Sequence, residues 1–467
     1  MTHSAPPFDG CSWLRAWNET WGAALDPQGF GGRLREARLA RLIAAALRDS
    51  PLYARRSRGA VALADFAPVS KAELMHGFDD WATDRRITLA GAQAHLAGAG
   101  IADAWLGRYL LWTSSGTSGV PGLFVQDAAS LAAYDAIEAL RLRGSGAGVL
   151  GLWSVGRRCA YVGALGGPYA GHVAIERVRR LAPLGLAPRL ELMSVLEPIS
   201  GLVQRLQAFQ PDVLITYPSC AAALALEQAR GALRLRLDEL WLGGEQLTPG
   251  QRGLVRSAFG CRLRNSYGAS EFYSIAFECS HAQLHLNGDW VILEPVDARG
   301  RAAAGDAFSH GALLTNLANR TQPLLRYALP DRIRYAAAPC ACGSAWPVIE
   351  VQGRCGDTLD LPGPEGRIRL LPLALETAIE EDAGVTQFQL LLRSDTRLEL
   401  RLEAGAADAA AALARARRAV LAFLAGQGLR GVHVVCSRAA VRRQSGSGKL
   451  RRVVDARAPG AEAPVPA

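Results

Sequence analysis

Trp112-Thr113-Ser114-Ser115-Gly116-Thr117-Ser118-Gly119-Val120-Pro121-Gly122 follows the apolar run 109–112, which reads as a strand. Seven consecutive residues from Thr113 are hydroxyl-bearing or glycine. Glycines leave backbone N–H groups unobstructed and short hydroxyls add donors, so such a loop can wrap phosphate oxygens from several sides. No Gly-Lys-Ser/Thr follows, which sets it apart from a Walker-type phosphate loop. Outward from it, between 108 and 330, short β-branched or aromatic runs such as 148–153 and 212–216 alternate with helical stretches near 127–143 and 219–230. That alternation predicts an α/β architecture with mixed or parallel sheet flanked by helices.

Upstream, Leu34, Leu39, Leu42, Ile43 and Leu47 recur at helical spacing and predict an amphipathic helix over 31–57, with a breaker at Asp49-Ser50-Pro51. The texture changes after Gly353. A Pro/Gly-rich hairpin at 361–367 precedes a helix at 372–383, strands near 387–403, an Ala-rich helix at 406–426 and a strand at 431–436. The expected division is a large domain over 1–352, a small mobile α+β domain over 353–458 and a disordered tail over 459–467.

Apolar residues make up 49% and charged residues 20% of the 467, the balance of a globular protein. The net charge of +9 comes from arginines scattered among Ala, Leu and Gly. Without a dense basic block, nucleic acid is not an expected partner. No run of about twenty apolar residues is present, so membrane insertion is not expected either. The first ten residues lack a basic region followed by an apolar run, and the nine cysteines are an odd number, so a reduced, cytoplasmic protein is expected.

Of the 52 Lys and Arg residues only two are lysines, Lys71 and Lys449. An ammonium is a compact charge on a flexible stem, whereas a guanidinium is a rigid fork. Lys449 lies in Gln444-Ser445-Gly446-Ser447-Gly448-Lys449, a glycine-flanked loop suited to a residue that must reach into a site. Further motifs stand between the two lysines. Asn265-Ser266-Tyr267-Gly268-Ala269-Ser270-Glu271 gathers an aromatic ring that can stack on a purine, a close-approach glycine and a carboxylate that can hold Mg²⁺ against phosphates. Leu242-Gly243-Gly244-Glu245 sits upstream at a strand end, and Leu325-Arg326-Tyr327-Ala328-Leu329-Pro330-Asp331-Arg332 adds a candidate ribose-binding carboxylate.

In order, a phosphate loop, GGE, YGxSE, RYxxPD, Gly353-Arg354 and a C-terminal Lys resemble the adenylate-forming (acyl-CoA synthetase-like) superfamily. Within it the chain looks most like the phenylacetate-CoA ligase branch, which Ser50-Pro51-Leu52-Tyr53, Val69-Ser70-Lys71-Ala72-Glu73-Leu74 and Tyr217-Pro218-Ser219 also match. The resemblance covers about residues 30 to 455. It implies that Thr113, Ser114, Ser115, Gly116, Thr117, Ser118 and Gly119 clasp the β- and γ-phosphates of ATP. Glu271 would hold Mg²⁺, and Tyr267, Gly268, Ser270, Gly244 and Glu245 would border the adenine. Asp331 and Arg354 would fix the ribose, and Lys449 would bridge the attacking carboxylate and the α-phosphate. Tyr217, Pro218, Gly166, Ala269 and Phe272 are candidate walls of an apolar pocket for an aryl or acyl acid.

The implied reaction is ATP-dependent formation of an acyl-adenylate with release of pyrophosphate, then transfer to a thiol, by analogy coenzyme A. One departure bears on that second half. Where the branch shows an Arg-Gly-x-Asn-type loop near the hinge, this chain reads Leu361-Pro362-Gly363-Pro364-Glu365-Gly366-Arg367. The alternative acceptor is an acyl carrier protein or another nucleophile. Finally, Cys279-Ser280-His281-Ala282-Gln283-Leu284-His285 with Cys340-Ala341-Cys342 has the composition of a closed tetrahedral zinc site, as some members of the branch carry. Either histidine could serve. His285 is favoured because Leu284 and Leu286 flank it in strand-like alternation, so the expected ligands are Cys279, His285, Cys340 and Cys342.

Overall fold

The computed structural model describes residues 7–57, 59–114, 122–142, 157–165, 167–180, 189–303, 307–354, 359–363, 366–370, 372–402, 409–443 and 449–457. The expected strand at 148–153, the loop residues Ser115, Gly116, Thr117, Ser118 and Gly119, Gly166, and the tail at 459–467 lie outside them. The chain divides into two compact units. The first comprises Met1–Cys159, Ala164–Glu191 and Arg264–Val351; the second comprises Ala160–Gly163, Leu192–Leu263 and Gln352–Ala467. No described helix is long and apolar enough to cross a membrane.

In the first unit the helix expected over 31–57 is two helices, Phe30–Asp49 and Pro51–Arg56. Pro51 disfavours the helical region for the residue before it, and Ser50 takes an extended conformation (φ −102°, ψ 108°). A further helix, Gly10–Leu25, precedes them, capped by the Asp9 carboxylate accepting from the Cys11 and Ser12 N–H groups. Strands Tyr109–Thr113 and Leu123–Asp127 pair antiparallel, with Thr113 opposite Leu123. The strands on either side of the Ser/Gly loop thus pair with each other, whereas a Walker loop leads from strand into helix. Antiparallel strands Val291–Val296, Gly311–Asn316 and Leu324–Leu329 form a second sheet. Trp81, Trp112, Phe124, Phe272, Leu314 and Tyr327 belong to the core between these elements.

In the second unit Val213–Thr216 and Glu239–Leu242 pair in parallel, and the helix Pro218–Ala229 lies between them in sequence. This is a βαβ crossover, whose core includes Leu214, Leu224, Leu240 and Val255. After residue 352 come the hairpin Leu359–Gly363 and Gly366–Leu370, the helices Pro372–Ala383 and Ala409–Gly426, and a four-stranded sheet. Its order is His433–Ser437, Arg397–Leu402, Phe388–Ser394, Val453–Asp455, with the outer pairs parallel and the central pair antiparallel. The small module is thus α+β, with its own core built on Phe388, Leu390, Leu398, Leu400, Val420 and Leu424.

Candidate active site

The hairpin that carries the Ser/Gly loop is cinched at its base. Ser114 donates its backbone N–H to the Gly122 carbonyl at 2.8 Å, and its Oγ accepts from the Gly122 N–H at 2.7 Å. Thr113, the last residue of the strand, donates its backbone N–H to the Pro168 carbonyl at 2.8 Å. One residue earlier, the buried Trp112 indole donates to the Ser270 carbonyl at 2.8 Å. The loop base and the Tyr-Gly-x-Ser-Glu turn are therefore tied directly.

That turn begins where the strand Arg262–Tyr267 ends. Only glycine fits at 268, because a Cβ there would stand 1.9 Å from the Tyr273 carbonyl oxygen. The next residue closes the turn, Ala269 donating its N–H to the Phe272 carbonyl at 2.9 Å. Phe272 itself is fully buried against Tyr134, ring centroids 5.3 Å apart. Glu271 is buried too; its Oε1 accepts from the Tyr327 hydroxyl at 2.6 Å, and its backbone carbonyl accepts from the Asn316 side-chain amide at 3.0 Å. A buried carboxylate held at one oxygen suits a divalent cation shared with phosphates. Tyr327 belongs to the Arg-Tyr-x-x-Pro-Asp motif, and buried Asp331 starts the strand Asp331–Tyr335. Three motifs thus meet inside the first unit. Tyr327, Asn316 and Trp112 are supporting residues to which the sequence assigned no task.

The second unit gathers the rest. Pro218 opens the helix Pro218–Ala229, and Tyr217 is its N-cap residue. Gly244 adopts φ +78°, and the Lys449 ammonium stands 5.8 Å from the centre of the Tyr217 ring. Glu245 accepts from the Ser219 and Leu450 N–H groups at 3.0 and 2.9 Å. Arg354 closes the strand Val348–Arg354.

The cysteine–histidine set comes together as expected. His285 sits on Leu284–Leu286, paired with Ala276–Glu278 on one side and Val348–Arg354 on the other. Donor atoms of Cys279, His285, Cys340 and Cys342 all lie within 4.8 Å of one another. The Cys279 and Cys340 sulfurs are 3.7 Å apart, and Cys342 Sγ is 3.3 Å from His285 Nε2. Zinc bonds of about 2.3 Å to sulfur and 2.0 Å to nitrogen set tetrahedral edges of about 3.5–3.8 Å, and the two close pairs lie near those values. His285 Nδ1 donates to the Trp346 carbonyl at 2.8 Å, which fixes the tautomer with Nε2 as acceptor, and burial pushes its ionisation down. His281 is exposed, with its ring Nδ1 3.2 Å from Ser280 Oγ, and takes no part.

No known family model matches the sequence. Among curated proteins, Protein CapK of Staphylococcus aureus is 24% identical over 139 residues, which span 29% of this chain and 29% of CapK. The structure is similar to 2-hydroxyisobutyryl-CoA ligase in the postadenylation state with 2-HIB-AMP bound, with TM-score 0.66 and 21% identity over 90% of this chain and 88% of that one. It is also similar to an anthranilate CoA ligase in complex with anthranoyl-AMP, with TM-score 0.52 and 14% identity over 73% of this chain and 66% of that one. The chain has the fold of the adenylate-forming acyl-CoA ligases.

Proposed function

We propose that this chain is an ATP-dependent acid–thiol ligase of the phenylacetate-CoA ligase type. It joins an aryl or acyl carboxylate to AMP, releases pyrophosphate and passes the acyl group to coenzyme A. The observation that carries the reading is the pair of bonds from Trp112 to Ser270 and from Tyr327 to Glu271, which ties the strand leading into the Ser/Gly loop to the YGxSE turn and the turn to the RYxxPD strand. The architecture shared with 2-hydroxyisobutyryl-CoA ligase supports it.

In this reading the substrate carboxylate, already ionised at neutral pH, attacks the α-phosphorus without a protein base. A carboxyl oxygen–phosphorus bond forms as the bond from the α-phosphorus to the bridging oxygen breaks, and pyrophosphate departs. Thr113, Ser114, Ser115, Gly116, Thr117, Ser118 and Gly119 hold the β- and γ-phosphates. Lys449, delivered by the lid formed by 353–458, stabilises the charge that builds on the transferring group, so the protein works by positioning and electrostatics. Tyr267, Gly268, Ser270 and Gly244 border the adenine, and Asp331 and Arg354 hold the ribose hydroxyls. Tyr217, Pro218, Gly166 and Ala269 would wall the acid pocket; Phe272, also a candidate wall, is fully buried in the core and does not line one. Mg²⁺ held by Glu271 would neutralise phosphate charge when bound. Zinc held by Cys279, His285, Cys340 and Cys342 would be structural, since all four donors come from protein. None of the eight described cysteines is in a disulfide, and we read the protein as cytoplasmic.

A second acceptor, the pantetheine of a carrier protein, is favoured by the Leu359–Gly363 and Gly366–Leu370 hairpin, which replaces the branch's usual hinge loop. One experiment tests both. The protein is incubated with ATP, Mg²⁺ and a panel of aryl and fatty acids, and pyrophosphate is followed with and without coenzyme A. Pyrophosphate and a coenzyme A thioester are expected with at least one acid. Pyrophosphate alone moves the acceptor to a carrier protein, and no release with any acid removes the ligase reading.

A further inference from the structure

We infer that Glu245 is a positioning residue, a clamp that fixes the backbone beside Lys449 and thereby sets where its ammonium stands. The inference rests on the role proposed for Lys449. Both oxygens of this one carboxylate are engaged by backbone donors from distant segments. Oε1 accepts from Leu450, 205 residues on, and Oε2 accepts from Ser219, 26 residues back. Ser219 lies in the first turn of the 12-residue helix Pro218–Ala229, where the helix dipole favours an anion. Bonds from backbone N–H to a carboxylate are charge-assisted and directional, so the Glu245 side chain fixes the Leu450 backbone relative to that helix.

The neighbouring contacts point the same way. Ser219 is itself pinned: its carbonyl accepts from the Gln387 side chain at 2.9 Å, and its Oγ accepts from Arg443 at 3.3 Å. On the other side of Lys449, Arg452 pairs with Glu376 and Glu380, and Glu380 also accepts from the Thr248 hydroxyl at 2.8 Å. The segment around Lys449 is thus held before it at Arg443 and after it at Leu450 and Arg452. Gly244 supplies the clearance. A Cβ at that position would stand 3.4 Å from Lys449 Cε and 3.0 Å from Tyr217 Cε1. Within one dipeptide, Gly244 leaves room for the Tyr217 ring beside the lysine and Glu245 holds the backbone that carries it. The resemblance implies that Glu245 borders the adenine; its carboxylate accepts from the lysine segment and from the helix Pro218–Ala229.

The chain's composition offers a direct test, because Lys71 and Lys449 are its only lysines. Full-length Glu245→Ala is compared with the unaltered protein, without ATP or acid, by hydrogen exchange at the Leu450 amide and by acetylation with an N-hydroxysuccinimide ester, with Lys71 as internal reference. Loss of the clamp is expected to speed Leu450 exchange about tenfold and to shift the Lys449-to-Lys71 acetylation ratio about threefold, with the strands Phe388–Ser394 and Arg397–Leu402 unaffected. Glu245→Gln, which keeps one full acceptor, is expected between the two and stands in if the alanine variant does not fold. Unchanged exchange and labelling overturn the inference, as does exchange that rises equally throughout the second unit. In pyrophosphate release, Glu245→Ala is expected to lower kcat about tenfold with the KM for ATP within about threefold. A raised KM at unchanged kcat assigns Glu245 to the nucleotide and overturns the clamp. An unaltered protein that releases no pyrophosphate overturns the proposed reaction, and exchange and labelling then decide the clamp by themselves.

Discussion

Lys449 and Glu271 carry the proposed chemistry through opposite charges, and each has a neighbour that defines it. Lys449 packs by Tyr217, whose ring would stand 3.0 Å from a Cβ at Gly244. Replacing it with alanine is expected to slow pyrophosphate release about a hundredfold or more, close to 3 kcal/mol of lost charge stabilisation, with calorimetric ATP affinity nearly unchanged. Arginine should not restore the rate, because a planar fork cannot take the position of a point charge on a flexible stem. Glu271 depends on Tyr327. Tyr327→Phe removes a hydrogen bond to a charged group, worth about 1.5–3 kcal/mol, and is expected to raise several-fold the Mg²⁺ concentration needed for half-maximal pyrophosphate release. Lys449 was legible in the sequence because lysine is so rare in it. The task of Tyr327 was not, since its bond reaches 56 residues along the chain and no local pattern encodes such a partner.

Among the elements, the cysteine–histidine hairpin makes the sharpest prediction. Metal analysis of the purified protein is expected to find one zinc per chain, and Cys340→Ser is expected to release it and lower the melting temperature by several degrees. Retention of full zinc by that variant would remove Cys340 from the ligand set. Here the sequence was a good guide. The alternation of Leu284, His285 and Leu286 predicts a strand, and His285 on that strand is 0% exposed. The helix Gly10–Leu25 was not legible. Its buried residues are Ala16, Thr20 and Ala23, while Leu14, Trp21 and Leu25 are exposed. Small side chains do the packing and large apolar ones stay partly or wholly exposed, so the helical recurrence of Trp13, Trp17 and Trp21 does not mark the face that is buried. The split at Ser50 shows the reverse case. The Asp-Ser-Pro breaker was visible, but the chain resumes its helix at once because proline is well suited to a first helical position.

At the scale of the molecule, separate cores set what can fold alone. The cluster around Phe388, Leu400 and Leu424 draws all its buried residues from 359–453. We therefore expect an isolated fragment over 352–467 to show mixed helix and strand circular dichroism and a cooperative melt, about the size of an ordinary small domain. A featureless melt would show that the module needs the rest of the chain. It should be less stable alone than in place, since Arg452 and Glu380 would lose Thr248, and Gln387 would lose the Ser219 carbonyl. The change in sequence texture after Gly353 predicts a boundary there, and the cluster around Phe388 lies wholly after it. The pairing of its loop with 217–219 and 244–245 was not, because those contacts depend on tertiary placement.

The sulfur pair at Cys279 and Cys340 has one more consequence. These residues are 61 positions apart, and the chain between them holds Tyr327 and Asp331. A metal bridging them would close that span into a ring in the unfolded chain. Loop-closure entropy for a ring of that length amounts to about 4 kcal/mol at 25 °C. The four donors would then stabilise the site chiefly by narrowing the conformations available before folding. Their loss should be felt most in the yield of refolding, ahead of any change in the finished site.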